Sequence, residues 1–256
     1  MATRSDNGAF LNSPSMIEGE QLRKLAFGAL HLLCQEKNQL AKHNLNAIYH
    51  VAVFGDDFAW SELVHGNTSK ASWLETIIPE IAQLLGQDWL DDRLSFAQVT
   101  LASSRLQQAA RACATHYRKD FFVSGARPTA LIIVPPSCDH TLGAVTMASL
   151  LLARGIDATT LLRARQEEVL QKVATHDFDG VFLSWSYPEA LDNAQKWIVN
   201  LKSVCGSTTR FGVGGTLLAI DNETSIPEAD LCGNEIEDAA NLCRTSFAMR
   251  TNSKPF

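Results

Sequence analysis

The sequence predicts an α/β protein in which a bundle of helices precedes a doubly wound parallel sheet. Beyond about residue 129, short apolar runs rich in β-branched residues alternate with segments of helical periodicity, which is typical of successive βαβ units. Before about residue 120, apolar residues recur at helical spacing over several segments, as in a helical bundle. The 256 residues, 46% of them hydrophobic, suffice to form both cores. We therefore expect a helical domain at 16–120 and a sheet domain at 129–244.

The helical domain is predicted to contain four or five helices. The predicted segments are 16–37, 45–54, 58–64, 70–86 and 95–117. Pro79 lies inside the fourth segment and is expected to kink it, because proline lacks the N–H that a helix interior needs. That helix is expected to end at Gly86, and Asp88–Arg93 is expected to connect it to the next. Ser95 is predicted to cap the last helix.

The sheet domain is predicted to consist of five strands and four helices. The predicted strands are Ala130–Val134, Asp157–Leu162, Gly180–Ser184, Phe211–Val213 and Ala229–Cys232. The predicted helices are Leu142–Arg154, Gln166–His176, Glu189–Val204 and Glu235–Arg244. Phe121–Thr129, which contains a glycine and a proline, is the expected junction between the domains. The pattern over Thr245–Phe256 is uninformative.

The loop after the first predicted strand is the first candidate for a functional site. It lies between the buried strand Ala130–Val134 and the helix that begins at Leu142. In open α/β sheets, ligands bind beyond the carboxyl ends of the strands, and His140 occupies that position. Gly143 leaves room for a ligand to approach the first turn of the helix. An imidazole placed there is able to bind a metal through one ring nitrogen.

Composition excludes several classes of function. Direct DNA binding is not expected, because 22 basic against 28 acidic residues give a net charge of −6 and no cluster of Lys or Arg stands out. The apolar runs are too short for a membrane span, and the polar segment Met1–Ser15 lacks the apolar core of a signal peptide. The six cysteines form no C-x-x-C pair and are most simply reduced thiols. We therefore expect a cytoplasmic protein.

Three segments follow the predicted strands at their carboxyl ends. They are Cys138-x-His140-x-x-Gly143, Ser184-Trp185-Ser186 and Gly212-Val213-Gly214-Gly215. Their order and spacing resemble the cobalamin-binding domain family, and the resemblance covers nearly all of the sheet domain. It implies that His140 is the lower axial ligand of cobalt. It also implies that the neighbouring loop residues Cys138 and Asp139, together with Gly143, lie beside the corrinoid.

The same resemblance gives roles to the second and third segments. Ser184 or Ser186 would line a slot for the nucleotide tail of the cofactor, and Gly214 and Gly215 would let that tail pass close to the backbone. Each residue also has a purely structural interpretation. The serines would cap the following helix, and the glycine pair would form a tight turn after the strand.

The helical domain carries a further part of the resemblance. Pro79-x6-Gly86-x2-Trp89, followed by Asp92-Arg93-Leu94-Ser95-Phe96, resembles the helical cap that precedes cobalamin domains in methionine synthase-like proteins and light-sensing regulators. This resemblance places Trp89 against the upper face of the corrin. The alternative interpretation of Trp89 is a core aromatic at a helix end.

Two departures from the family pattern bear on the chemistry. The aspartate that usually precedes the histidine by two positions is Cys138, so the carboxylate that would orient His140 is missing and a weaker, more exchangeable ligand is expected. Cys138 itself is either an inert small residue or a redox-sensitive thiol. In the adenosylcobalamin photoreceptors of the carotenoid-repressor type, histidine and a Glu-His pair supply upper ligands; here Leu90 and Val99-Thr100 stand at those positions.

The overall pattern is most similar to the AerR/PpaA antirepressors of photosynthetic bacteria. The resemblance implies a regulator, not an enzyme, that binds hydroxo- or adenosylcobalamin, responds to light or cofactor state, and acts on a repressor of the CrtJ/PpsR type. A corrinoid carrier of a methyltransferase system is an alternative with the same cap and domain. A second alternative is a haem-binding redox sensor, with His140 or Cys138 as the iron ligand.

Overall fold

The computed structural model describes residues 44–66, 68–119, 125–185, 191–215 and 226–252. The chain divides into two compact units, Met1–Ile48 and Tyr49–Phe256. In the first unit the described residues are 44–48, and they are helical. The predicted helix at 16–37 lies outside the described residues, as does Ser186. The proposed domains at 16–120 and 129–244 remain predictions.

Four helical segments precede the sheet. Helix α1 covers 44–54, α2 covers Asp57–His65, α3 runs from Lys70 to Leu90, and α4 covers Phe96–Lys119. The cap predicted at Ser95 is confirmed: its Oγ accepts the Gln98 N–H at 3.3 Å, and Gln98 Oε1 accepts the Ser95 N–H at 2.9 Å. This reciprocal pair satisfies two donors at the start of α4.

Helix α3 differs from the prediction at its carboxyl end. A π-helical turn at Trp73–Ile77 precedes the α-helical part Ile78–Leu90, whose first turn contains Pro79. The helix also continues through Gly86, where a single glycine costs only about 1 kcal/mol. The predicted connection at Asp88–Arg93 was therefore wrong in its first half. The helix ends where Asp92 adopts a positive φ of 55°.

The sheet contains five parallel strands in the order β2-β1-β3-β4-β5. The strands are β1 (Thr129–Val134), β2 (Asp157–Leu162), β3 (Gly180–Ser184), β4 (Arg210–Gly214) and β5 (Leu231–Cys232). The helices between and after them are α5 (Leu142–Ala153), α6 (Gln166–Thr175), α7 (Leu191–Lys202) and α8 (Ile236–Asn252). The doubly wound fold is thus confirmed. In this strand order the topological switch point lies between β1 and β3.

The register aligns the carboxyl ends of the strands. Val134 pairs with Leu162, and Ser184 pairs with Gly214. The β1 residues from Ala130 to Val134 are fully buried, which agrees with their continuous apolar sequence. The loops that follow β1, β3 and β4 therefore leave the sheet at one edge.

Helix α8 anchors the opposite edge and is longer than predicted. It covers Ile236–Asn252 and so continues beyond the predicted end at about Arg244. Arg250 on its last turn donates two hydrogen bonds of 2.9 Å to the fully buried carboxylate of Asp179. Asp179 also accepts the Thr129 backbone N–H at 2.9 Å. This contact joins α8 to the amino ends of β1 and β3.

None of the helices among the described residues combines the length and the apolar character that crossing a bilayer requires. The five cysteines among the described residues, Cys113, Cys138, Cys205, Cys232 and Cys243, are free thiols, as the sequence predicted for them.

Candidate functional site

The candidate site is the carboxyl edge of the sheet at the switch point between β1 and β3. The loop after β1 turns through a hydrogen bond from the Cys138 N–H to the Pro135 carbonyl oxygen, at 3.0 Å. This turn buries Cys138 completely and leaves His140 exposed. Thr141 then forms the N-cap position of α5. Cys138 is buried in the hydrophobic core of the sheet domain, whereas the His140 side chain is exposed at the edge.

Gly143, in the first turn of α5, borders open space. A Cβ atom built there would meet no other atom within 4 Å. The glycine is therefore not needed to fit against the protein itself. The first turn of a helix presents backbone N–H groups that favour polar or anionic ligand groups. His140 therefore places an imidazole, a possible metal ligand, beside the amino end of α5.

Asp139 contacts an arginine that sequence analysis did not single out. Arg163, which follows β2 and has a positive φ of 55°, donates a 2.7 Å hydrogen bond to Asp139 Oδ1. Both side chains are more than half exposed, so the pair contributes little to stability. The contact fixes the direction of the Asp139 carboxylate. No sequence signal marks Arg163, because the pairing depends on the register of β1 and β2.

Ser184 ends β3 and is half-buried at the same edge. The next residue, Trp185, is buried and packs edge-on against Trp197, with ring centroids 6.1 Å apart. Its indole Nε1–H is buried without an acceptor among the described residues. Ser184 is therefore only partly buried at the edge, whereas Trp185 beside it is buried.

The glycine pair after β4 fits tightly against protein atoms. Gly215 has a φ of +108°, and a Cβ atom there would lie 2.2 Å from the Trp185 carbonyl oxygen. At Gly214, a Cβ would lie 3.0 Å from Asn234 Oδ1, which also accepts the Gly215 N–H at 2.7 Å. Both glycines are thus required for the close approach of β4 to its neighbours. This observation favours the structural interpretation of the pair, and it identifies Asn234 as a partner that sequence analysis missed.

The start of α4 projects beyond this edge of the sheet. Gln107 Nε2 donates to Thr141 Oγ1 at 2.9 Å, and Ser149 Oγ donates to the Ala110 carbonyl oxygen at 3.0 Å, so α4 runs alongside α5 in the same direction. Because α5 starts at the carboxyl edge, the residues of α4 before Gln107 extend past it by roughly 16 Å. We call Asp88–Leu106 the overhang.

Large apolar side chains are exposed on the overhang. Phe96 is 77% exposed and Trp89 is 49% exposed. Leu90 and Leu101 are exposed as well. Trp89 is therefore not the core aromatic of the alternative interpretation. Exposed large apolar side chains are typical anchors for a ligand or a partner protein.

A polar cluster fixes the turn that carries Trp89. The Asp88 carboxylate accepts a hydrogen bond from the Tyr49 hydroxyl and two from Arg93, at 2.8 and 2.6 Å. These hydrogen bonds lower the pKa of Asp88. Burial and the contact with Asp88 raise the pKa of Tyr49 to about 12. The Asp88 carbonyl oxygen also accepts the Arg93 N–H at 2.8 Å, so one residue holds the turn through its backbone and its side chain.

The side chains at this site are more suitable for a metal held in a macrocyclic cofactor than for a bare metal ion. Among the described residues, no three His, Cys, Asp or Glu side chains are placed to hold a bare ion. A single imidazole supplies one coordination position, as an axial ligand of a metal macrocycle requires. Gly143 borders open space, and the overhang carries exposed apolar side chains that a flat macrocycle could contact.

Comparison with known proteins places the chain in a family. No protein-family model matches the sequence. The chain is 32% identical over 160 residues to the uncharacterized 20.5 kDa protein in the bchF-crtJ intergenic region of Rhodobacter capsulatus. The match covers 62% of this chain and 83% of that protein. The chain belongs to the same family.

A solved structure shows the same fold. The monomethylamine corrinoid protein of Methanosarcina barkeri superposes with a TM-score of 0.58 at 16% sequence identity. The superposition covers 77% of this chain and 93% of the corrinoid protein. At that identity the likeness establishes the fold, a parallel sheet with helices of the type found in corrinoid proteins.

Proposed function

We propose that this chain binds a cobalamin-type corrinoid at the carboxyl edge of the sheet and regulates a transcriptional repressor of the CrtJ/PpsR type. The observation that carries the proposal is the exposed His140 at the switch point, beside the open space at Gly143 and next to the apolar overhang. The fold shared with a corrinoid protein supports the choice of cofactor. The position of the relative's gene next to crtJ supports the choice of partner.

In this proposal each part of the site has one task. His140 would hold the cofactor through its imidazole, and Trp89 on the overhang would pack against the macrocycle. Ser184, which is partly buried at the same edge, would bind a polar group of the nucleotide tail. When bound, the corrinoid would supply a cobalt centre with an exchangeable ligand. Gly214 and Gly215 maintain the wall of the crevice, since their close contacts are with protein atoms.

A regulator must convert the state of the cofactor into a change elsewhere in the chain. A ligand shifts such an equilibrium only by its differential affinity for the two arrangements. The residue next to His140, Thr141, accepts a hydrogen bond from Gln107 on α4. Movement of the histidine loop would therefore act directly on the helix that forms the overhang.

Spectroscopic titration tests the cofactor assignment. Full-length protein is titrated in the dark with hydroxocobalamin and separately with adenosylcobalamin, and the His140→Ala variant is compared with His176→Ala, a control at the opposite edge of the sheet. We expect His140→Ala to weaken uptake by at least about tenfold and to change the spectrum of the bound corrinoid. Equal affinity and an equal spectrum for His140→Ala and the wild type would contradict the assignment. A Soret band in protein as purified would indicate haem instead.

Repressor binding tests the regulatory role. The affinity for a purified CrtJ/PpsR-type repressor is measured for the apo, hydroxocobalamin and adenosylcobalamin forms, in light and dark. We expect the affinity to differ between forms, and the same affinity in every form would refute regulation.

The corrinoid carrier remains the second candidate, because the solved neighbour with this fold is a corrinoid protein named for monomethylamine. Methyl transfer from methylcobalamin-loaded protein to a partner methyltransferase, in a single-turnover assay, would favour the carrier.

A further inference from the structure

Two exposed phenylalanines flank the connection between α1 and α2, and the proposed cofactor site uses neither. Phe54, on the last turn of α1, is 56% exposed, and Phe58, on the first turn of α2, is 75% exposed. The ring of His50 lies against Phe54, with centroids 5.0 Å apart. Large aromatic side chains grouped on a surface are the usual anchors of protein interfaces.

The same connection is acidic. Asp56 and Asp57 lie between the two phenylalanines, and Glu62 follows on α2; all three are exposed. Residues 44–66 contain these three acidic residues and no Lys or Arg. We call Phe54–Phe58 with Glu62 the acidic aromatic patch. Asp57 is paired with the buried Arg105. Asp56 and Glu62 therefore give the patch its net negative charge, which favours a partner surface rich in Lys or Arg.

The patch is held in place from below. The buried guanidinium of Arg105 on α4 donates to the Ala52 carbonyl oxygen at 3.0 Å and to Asp57 Oδ1 at 3.1 Å. Behind α2, the buried ring of Trp60 packs edge-on against Trp73, with centroids 5.7 Å apart. The backbone that presents the two phenylalanines is therefore ordered before any partner binds, which lowers the entropic cost of association.

We infer that the acidic aromatic patch is the docking surface for a protein partner with a basic surface around an apolar recess. This inference rests on the proposed regulatory function and assigns the partner's contact. The basic surface by which a repressor meets DNA phosphates has the charge that the patch requires. Docking there would compete with DNA. Helix α4 connects the patch to the cofactor site, since Arg105 lies two residues from Gln107.

The test uses the full-length protein with two exposed side chains changed, Phe54→Ser together with Phe58→Ser. The control is Val199→Ser, an apolar side chain on α7 that is 48% exposed. The first probe is a purified CrtJ/PpsR-type repressor, with and without its operator DNA. The second is an amphipathic helical peptide of Leu and Lys, compared with the same peptide in which Glu replaces Lys. Corrinoid uptake and the thermal midpoint are measured in parallel.

We expect the double variant to bind the repressor and the Lys peptide at least about tenfold more weakly. Corrinoid uptake should stay unchanged, the control should bind like the wild type, and operator DNA should compete. Wild-type affinity of the double variant for both probes would overturn the patch. Loss of a dimer in the double variant, seen by sedimentation, would also overturn it by assigning the patch to a second copy.

The two proposals fail in different ways. If the wild type binds no repressor in any cofactor state, the regulatory function fails, and the peptide measurement still decides whether the patch recognises a basic apolar surface. If the wild type binds the repressor and the double variant binds it equally, the patch fails and the regulatory function stands.

Discussion

Exchanging Gly215 and Gly143 for alanine separates a glycine needed for packing from one that leaves room for a ligand. At Gly215 the added Cβ would lie 2.2 Å from the Trp185 carbonyl oxygen and 2.8 Å from the Trp185 nitrogen. The neighbour is backbone, so β3 and β4 would have to move apart. At Gly143 the added Cβ meets nothing within 4 Å.

The expected free energies differ in sign. A positive φ at a residue with a Cβ costs about 1–2 kcal/mol. Separating the strand ends also weakens the 2.9 Å hydrogen bond from the Trp185 N–H to the Gly214 carbonyl oxygen and the 2.7 Å bond from Gly215 to Asn234. Each such hydrogen bond contributes about 1 kcal/mol, so Gly215→Ala should lower the free energy of unfolding by roughly 3–4 kcal/mol. Gly143→Ala should raise the free energy of unfolding by about 0.5 kcal/mol, because alanine loses less backbone entropy than glycine when a helix forms.

Urea unfolding followed by circular dichroism measures both changes, and corrinoid titration gives the second readout. For a chain of this size, Gly215→Ala should lower the thermal midpoint by roughly 6–15 °C. Gly143→Ala should keep its stability and bind corrinoid more weakly, since its methyl group enters the open space beside His140. If Gly215→Ala is as stable as the wild type but loses corrinoid, Gly215 is a ligand-binding glycine and our interpretation of the β4 end is wrong.

Three further predictions follow from the buried and polar clusters. Arg250→Met should destabilise the fold by about 3 kcal/mol, because it leaves the buried Asp179 carboxylate without its cation. The control is Arg244→Met, since the Arg244 side chain is exposed. Equal urea midpoints for the two variants would contradict the stabilising role of the Arg250–Asp179 pair. The wild type should lose stability between about pH 10 and 12, because the tyrosine at position 49 releases its proton near pH 10 in the unfolded chain and only near pH 12 in the folded one. Tyr49→Phe should not show this loss, so the difference in unfolding free energy between wild type and variant should fall over that interval. A difference that stays constant with pH would disprove this prediction. Burial raises the pKa of the Cys243 thiol to about 12, so this thiol should resist a thiolate-specific reagent at pH 8 and react once urea unfolds the chain; rapid labelling in native buffer, located by peptide mapping, would show that α8 opens.

Local patterns in the sequence were sufficient to predict the sheet. The continuous apolar residues of β1 and the alternation of strands and helices after it gave the fold class, and β2 and β3 have the predicted bounds. The cap at Ser95 was also predictable, since it depends on side chains three residues apart. Interactions of this kind are encoded within a few neighbouring residues.

Features that depend on tertiary contact could not be predicted. Helix α3 continues through Gly86, because a single glycine is only a weak signal for a helix end. The last turns of α8 are stabilised by the hydrogen bonds from Arg250 to Asp179, which is 71 residues away. At the site, His140 and Gly143 were accessible to sequence reasoning because they lie next to a strand end. Arg163 and Asn234 were not, because their partners are brought close only by the assembled sheet.

Helix α4 has a mechanical consequence. Its 24 residues form one uninterrupted rod of about 36 Å, attached near its middle to the loop that carries His140. With Gln107 as the pivot, a tilt of about 5° would displace Phe96, roughly 16 Å away, by about 1.4 Å. A small movement of the loop that carries His140 would thus produce a larger displacement of Phe96, at the amino end of α4.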